Sequence, residues 1–144
     1  MKQKTYQITS RKYLSDDEQT ALFKTIRSND SRDALMIELA LITGMRRQEL
    51  LNATPQDLND SNRSILVKGI KGSKDREIPL PNDTYRRIKT YLTKLSLSSR
   101  ATEVGKYQHQ IFPISVRRLT QIWSQYRPTS KGFHCLRHTF AINL

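Results

Sequence analysis

The chain has 144 residues, of which 36% are hydrophobic and 26% charged, enough for one domain with its own core and no need of a second. No apolar run approaches the ~18 residues of a membrane span, no apolar signal segment follows the basic first residues, and the single cysteine, Cys135, rules out an internal disulfide and lacks zinc-finger neighbours. Lys and Arg number 25 against 13 acids, a formal net charge of +12, which predicts a soluble cytoplasmic protein whose partner is a polyanion, because neutralising phosphates releases condensed counterions.

Residues 1–13 show no clear period and read as a linker or extended arm, leaving 14–144 as the folded domain. Ser15-Asp16-Asp17-Glu18 has the spacing of a capping box and opens a helix to about Arg27, with Leu22, Phe23 and Ile26 inward. A second helix from about Ser31 is apolar nearly all round except at Glu38, which places it at the centre. Gly44 suits a left-handed stop, and Arg46 to Asn52 reads as a short helix closed before Pro55. Ile65-Leu66-Val67 and Glu77-Ile78-Pro79-Leu80 read as a β-hairpin. Its turn, Gly69 to Asp75, is too long for a two-residue connection and predicts an exposed, mobile basic finger carrying Lys71 and Lys74.

Asn82 can cap a helix with Tyr85, Ile88, Leu92 and Leu95 on one face, followed by a loop from Ser96 to Gln110. Ser115 can cap another, with Val116, Leu119, Ile122, Trp123 and Tyr126 inward and Pro128 ending it. The last helix starts near His134 and is expected to be still running at Leu144. No acid follows Glu103, whereas Lys106, Arg117, Arg118, Arg127, Lys131 and Arg137 do. That end of the chain is expected to form a cationic surface. The fold class predicted is α+β, mainly helical, with a small antiparallel sheet.

Three stretches carry chemistry: Thr43-Gly44-Met45-Arg46-Arg47-Gln48-Glu49-Leu50-Leu51, the hairpin around Lys71, and His134-Cys135-Leu136-Arg137-His138. Displacing an alkoxide from a phosphodiester puts extra charge on two non-bridging oxygens, which a planar guanidinium fits better than an ammonium does. Arg46, just after a helix-ending glycine, and Arg137, at a helix start, can clamp that pair from two sides. His134 shares a helical face with Arg137 and can add a hydrogen bond or handle a proton. The leaving 5′ oxygen needs a proton, which a lysine on a finger can deliver.

Together and in this order, from roughly Asp16 to Leu144, the three stretches resemble the tyrosine recombinase (lambda-integrase, phage integrase) family. The first resembles its Thr-Gly-x-Arg-x-x-Glu-Leu box, the second its lysine hairpin, the third its His-x-x-Arg helix. The resemblance implies a catalytic domain that activates a phosphate of double-stranded DNA without metal or cofactor, with Arg46, Lys71, His134 and Arg137 as catalytic residues. Lys71 takes the general-acid role by its place in the turn; Lys74 is the competing assignment, and Lys68 belongs more naturally to the strand. Glu49 reads as an acid that fixes Arg46 or a nearby amide. Arg47, Lys74, Arg76, Arg117, Arg118 and Lys131 read as contacts to the DNA backbone, which position without reading sequence. His138, Trp123 and Tyr126 read as structural.

The resemblance further implies a nucleophilic tyrosine after the His-x-x-Arg helix, an N-terminal DNA-clamping domain, and assembly with other protomers, four in the active complex. None of the six tyrosines follows Arg137, so the chain reads as a catalytic domain cut off before its nucleophile, able to bind and polarise a phosphate without cleaving. Two other readings stay open. A metal-dependent nuclease or transposase would need converging acids, and a non-catalytic DNA-binding regulator could use the same fold.

Overall fold

The computed structural model describes residues 12–97 and 110–143. Helix α1, Asp16–Arg27, begins with the capping box: the Ser15 hydroxyl accepts from the Glu18 amide at 3.1 Å and Glu18 Oε1 accepts from the Ser15 amide at 2.9 Å. Leu22 and Ile26 are buried and Phe23 half-buried. Helix α2, Arg32–Thr43, is capped by Ser31 and runs through the centre, packed by α1 and by three later helices, α4 (Asn82–Leu97), α5 (Val116–Tyr126) and α6 (Cys135–Ile142). Its one buried carboxylate, Glu38, accepts from Thr84 Oγ1 at 2.7 Å, pairs with Arg87 of α4 and lies 3.3 Å from Arg27 of α1. A charge on an otherwise apolar helix is thus tied to both neighbouring helices, as burial of a charge requires.

Between α2 and α4 lie α3, Arg47–Asn52, a 3-10 turn at Pro55–Asp57, and an antiparallel sheet of order β1-β2-β3. Strands β2, Ser64–Val67, and β3, Arg76–Pro79, form the expected hairpin with Ile65 opposite Ile78. Strand β1, Leu58–Asn59, pairs with Ile65 and Ser64; two residues are too few to show a period of two. Asn82, expected as a cap, is the first residue of α4, and Ser96 and Leu97, expected in a loop, are its last. The rest of that expected loop, 98–109, lies outside the described residues. Helix α5 starts after Ser115, whose hydroxyl accepts from the Arg118 amide, and buries Leu119, Ile122 and Trp123.

Helix α6 runs to Ile142, and the next residue, Asn143, donates from its side chain to Gln19 Oε1 at 3.0 Å; Leu144, where the helix was expected to be still running, lies outside the described residues. The segment entering α1 is fastened to the same helix. Thr139 Oγ1, fully buried, accepts from the Leu14 amide at 2.8 Å and donates to the Cys135 carbonyl at 2.7 Å. Replacing Thr139 by valine keeps the shape but leaves the Leu14 amide buried without a partner, so unfolding stability is expected to fall by about 1–3 kcal/mol. Urea unfolding of the two proteins measures this; equal midpoints would show that the bond contributes nothing. No helix among the described residues is long and apolar enough to cross a membrane.

Candidate active site

The site grows from the end of α2. Thr43 Oγ1 donates to the Leu39 carbonyl at 2.7 Å and accepts from the Met45 amide at 3.3 Å, while Gly44, at φ +69°, turns the chain left-handed out of the helix. That left-handed backbone is one reason for glycine. The other is space: a Cβ on Gly44 would come within 2.4 Å of the Phe140 ring of α6. With α6 this close, Arg137 Nη1 donates to the Gly44 carbonyl at 2.6 Å. One peptide thereby aims a guanidinium two residues from Arg46.

Arg46 stands at the start of α3, where its amide donates to Glu49 Oε1 at 2.9 Å and its Nη1 lies 3.4 Å from Oε2. The Glu49 side chain is fully buried, and Arg76 at the start of β3 grips it with two nitrogens, at 2.9 and 3.3 Å. Burial alone would raise the Glu49 carboxyl. The hydrogen bonds from Arg76 and the Arg46 amide, with the charge of both guanidiniums, outweigh that and hold it below the usual carboxylate range. The carboxylate expected to fix Arg46 or a nearby amide thus contacts both the Arg46 amide and its guanidinium, and Arg76 as well. Arg137 feels the same cluster: burial and the charges of Arg46 and Arg76 lower its pKa, and Glu49 opposes them. Arg46, Arg76 and Arg137 thus lie near enough to a single buried carboxylate and to one another to feel each other's charge, a net positive cluster suited to a phosphate.

The finger carries hydrogen bonds of its own. The Gly69 amide donates to Asp75 Oδ1 at 3.0 Å, and the Ser73 amide donates to the Ile70 carbonyl at 2.9 Å across Lys71 and Gly72, both at positive φ (52° and 83°). The tip is thus a tight turn with a lysine in a conformation that costs a non-glycine residue about 1–2 kcal/mol. Both stems are pinned to buried acids, Lys68 to Asp57 at 3.1 Å and Arg76 to Glu49. Lys71 and Lys74 are exposed with no hydrogen-bond or ion-pair partner among the described residues. Arg76, grouped in the sequence with phosphate contacts, joins the finger to the arginine box through Glu49. Its place in the strand carried a signal: it shares with Ile78 the inward-facing register of β3.

His134 is exposed at the start of α6, three residues before Arg137, and lines a groove with Arg47, Trp123, Arg127 and Phe133. His138, read as structural, lies edge-on to it, with ring centres 5.6 Å apart. Burial, then the charges of His134, Lys12 and Arg137, lower the His138 pKa. Arg117 and Arg118 are exposed on the first turn of α5. Lys131 is otherwise engaged: its ammonium donates to the Tyr13 carbonyl at 2.8 Å and to Glu18 at 3.0 Å. Trp123 packs edge-on against Phe133 and donates to the Lys131 carbonyl, as a core residue does. Burial pushes the Cys135 thiol up to about 11, which makes it a poor nucleophile.

A helical body bearing a three-stranded sheet whose hairpin is pinned beside two clustered arginines is the tyrosine recombinase catalytic-domain fold. The crystal structure of XerA recombinase shares it, with a TM-score of 0.64 at 25% identity over 91% of this chain and 49% of that one. So does the Tn1549 transposon integrase in complex with a circular intermediate DNA, with a TM-score of 0.67 at 18% identity over 95% and 54%. Residues 12–144 match the phage integrase family, and the chain belongs to it. Among curated relatives, the tyrosine recombinase XerA of Pyrococcus furiosus is 32% identical over 92% of this chain and 48% of its own length. Tyrosine recombinase XerC of Staphylococcus aureus is 30% identical over 92% and 47%. The chain spans about half the length of the curated relatives it matches.

Proposed function

We propose that this chain is the phosphate-activating part of a site-specific DNA recombinase. Arg46 and Arg137 clamp the non-bridging oxygens of a scissile phosphate, His134 contributes a hydrogen bond or proton, and Lys71 protonates the leaving 5′ oxygen. A tyrosine C-terminal to Leu144 attacks, and double-stranded DNA held by several protomers is the substrate. The observation that supports this reading is the approach of Arg46 and Arg137 to the same Gly44–Glu49 segment, which brings together positive charge from two motifs 91 residues apart in sequence. Support comes also from relatives called tyrosine recombinases and from a DNA-bound structural neighbour. Exposed Arg47, Arg117 and Arg118 supply further phosphate contacts.

The general acid is tested with two substrates in the full-length recombinase. Lys71→Ala is expected to slow cleavage of ordinary DNA by about 10²–10⁴-fold. It is expected to cleave at near the parent rate a substrate whose leaving 5′ oxygen is sulfur, a leaving group that needs no proton. Lys74→Ala is expected to act like the parent on both. The reverse pattern moves the role to Lys74, and no rescue of either variant removes the role from the finger. Both substrates cleaved equally well with EDTA present separate this chemistry from metal-assisted hydrolysis.

A further inference from the structure

Beside the arginine cluster, the first turn of α6 brings two imidazoles face to edge. His134 and His138 are four residues apart, so their side chains rise from one face of the helix, and their ring centres are 5.6 Å apart with planes at 89°. Neither ring has a hydrogen bond or ion pair among the described residues. The Cε1–Nδ1 edge of His134 is the part of the ring nearest Gly132, where an added Cβ would come within 3.2 and 3.3 Å. Two imidazoles holding one tetrahedral ion through nitrogens about 2.1 Å away have ring centres about 5 Å apart. The observed separation of the ring centres is close to that value.

We propose that His134 and His138 form a two-imidazole chelate for a transition-metal ion of the copper, nickel or zinc class, and that the bound ion withdraws His134 from the phosphate. The second half rests on the catalytic reading of His134; the first does not. Among the described residues no third histidine, cysteine or carboxylate joins the pair, so water fills the remaining positions and the ion exchanges. Magnesium and calcium, which demand oxygen ligands, do not fit. Copper(II) should bind more tightly than nickel or zinc. The site acts as a reversible inhibitory switch on a reaction that itself needs no metal.

Trp123, the chain's one tryptophan, lines the same groove as His134 and supplies the readout. Titrating this chain with copper(II) chloride, without DNA, is expected to quench its fluorescence to a plateau, and excess diamagnetic zinc(II) to restore it by displacement. His138→Gln and, separately, His134→Gln are expected to raise the half-quenching concentration by at least ~10-fold, because each leaves a single ligand without its intramolecular partner. Quenching that never saturates, or midpoints unchanged in both variants, overturns the site, with circular dichroism confirming that each variant is folded. None of these measurements involves DNA or cleavage, so their failure leaves the phosphate reading standing. In the full-length recombinase, zinc(II) should inhibit the parent but not His138→Gln; equal inhibition of both overturns the inhibitory half.

Discussion

Arg137→Ala in the full-length recombinase is expected to reduce single-turnover DNA cleavage by at least ~10³-fold while changing DNA affinity only a few-fold. One preorganised donor to a developing oxyanion is worth about 10²–10³ in rate, and a guanidinium aimed at a transferring phosphoryl group 10³–10⁵. Arg137 spends Nη1 on the Gly44 carbonyl, which fixes the plane of the fork and leaves its other donors for the phosphate. Affinity survives because Arg47, Arg117 and Arg118 remain exposed and each backbone contact adds its own counterion release. Arg137→Lys should not restore the rate, since an ammonium offers no planar pair of donors. Gel-shift affinity measured beside cleavage decides the matter: parallel loss of both would make Arg137 a binding residue only.

Glu49→Ala is expected to lower unfolding stability by about 2–4 kcal/mol, at the lower side of the 3–5 typical of a broken buried pair because Arg46 and Arg76 remain partly exposed. Three arginines would then lie near one another with no counter-charge, and α3 would lose the acceptor for its first amide. The pH dependence follows from the same carboxylate. Its folded pKa is depressed, so its stabilisation is complete above the unfolded value near ~4.3 and is lost as pH falls through the lower folded value. Glu49→Gln should therefore flatten part of the acid side of the stability profile, below about pH 4, and change little of its slope above that. Urea unfolding at a series of pH values reads both effects. A profile parallel to the parent's throughout would show that Glu49 is not held ionised by the fold.

Much of this architecture was legible in the residues. The Ser15–Glu18 box, the all-apolar α2 and the cap at Ser115 are local signals, and each element starts within a residue or two of where they place it. The box, finger and His-x-x-Arg helix were visible because their residue types and order are unusual together. What stayed hidden depends on distance along the chain. Glu49 meets Arg76 from 27 positions away, and Lys131 meets Tyr13 from 118; the register of β3 shows that Arg76 turns inward, but nothing near either residue names its partner. The finger was expected to be mobile from its length, yet its bracing comes from a carboxylate, Asp75, that looked like one more turn residue. The bond from Asn143 to Gln19 of α1 spans 124 positions, which no local signal announces.

Gly44 narrows what an engineer can change. Replacing glycines with alanine is a common way to raise thermal tolerance, since it removes freedom from the unfolded chain. At this position the hydrogen-only side chain lets an aromatic ring slide across the helix stop, and the adjoining carbonyl sets the direction of a charged fork. Libraries built to toughen this domain would do best to hold residue 44 constant and look for gains on the outer faces of α1 and α4.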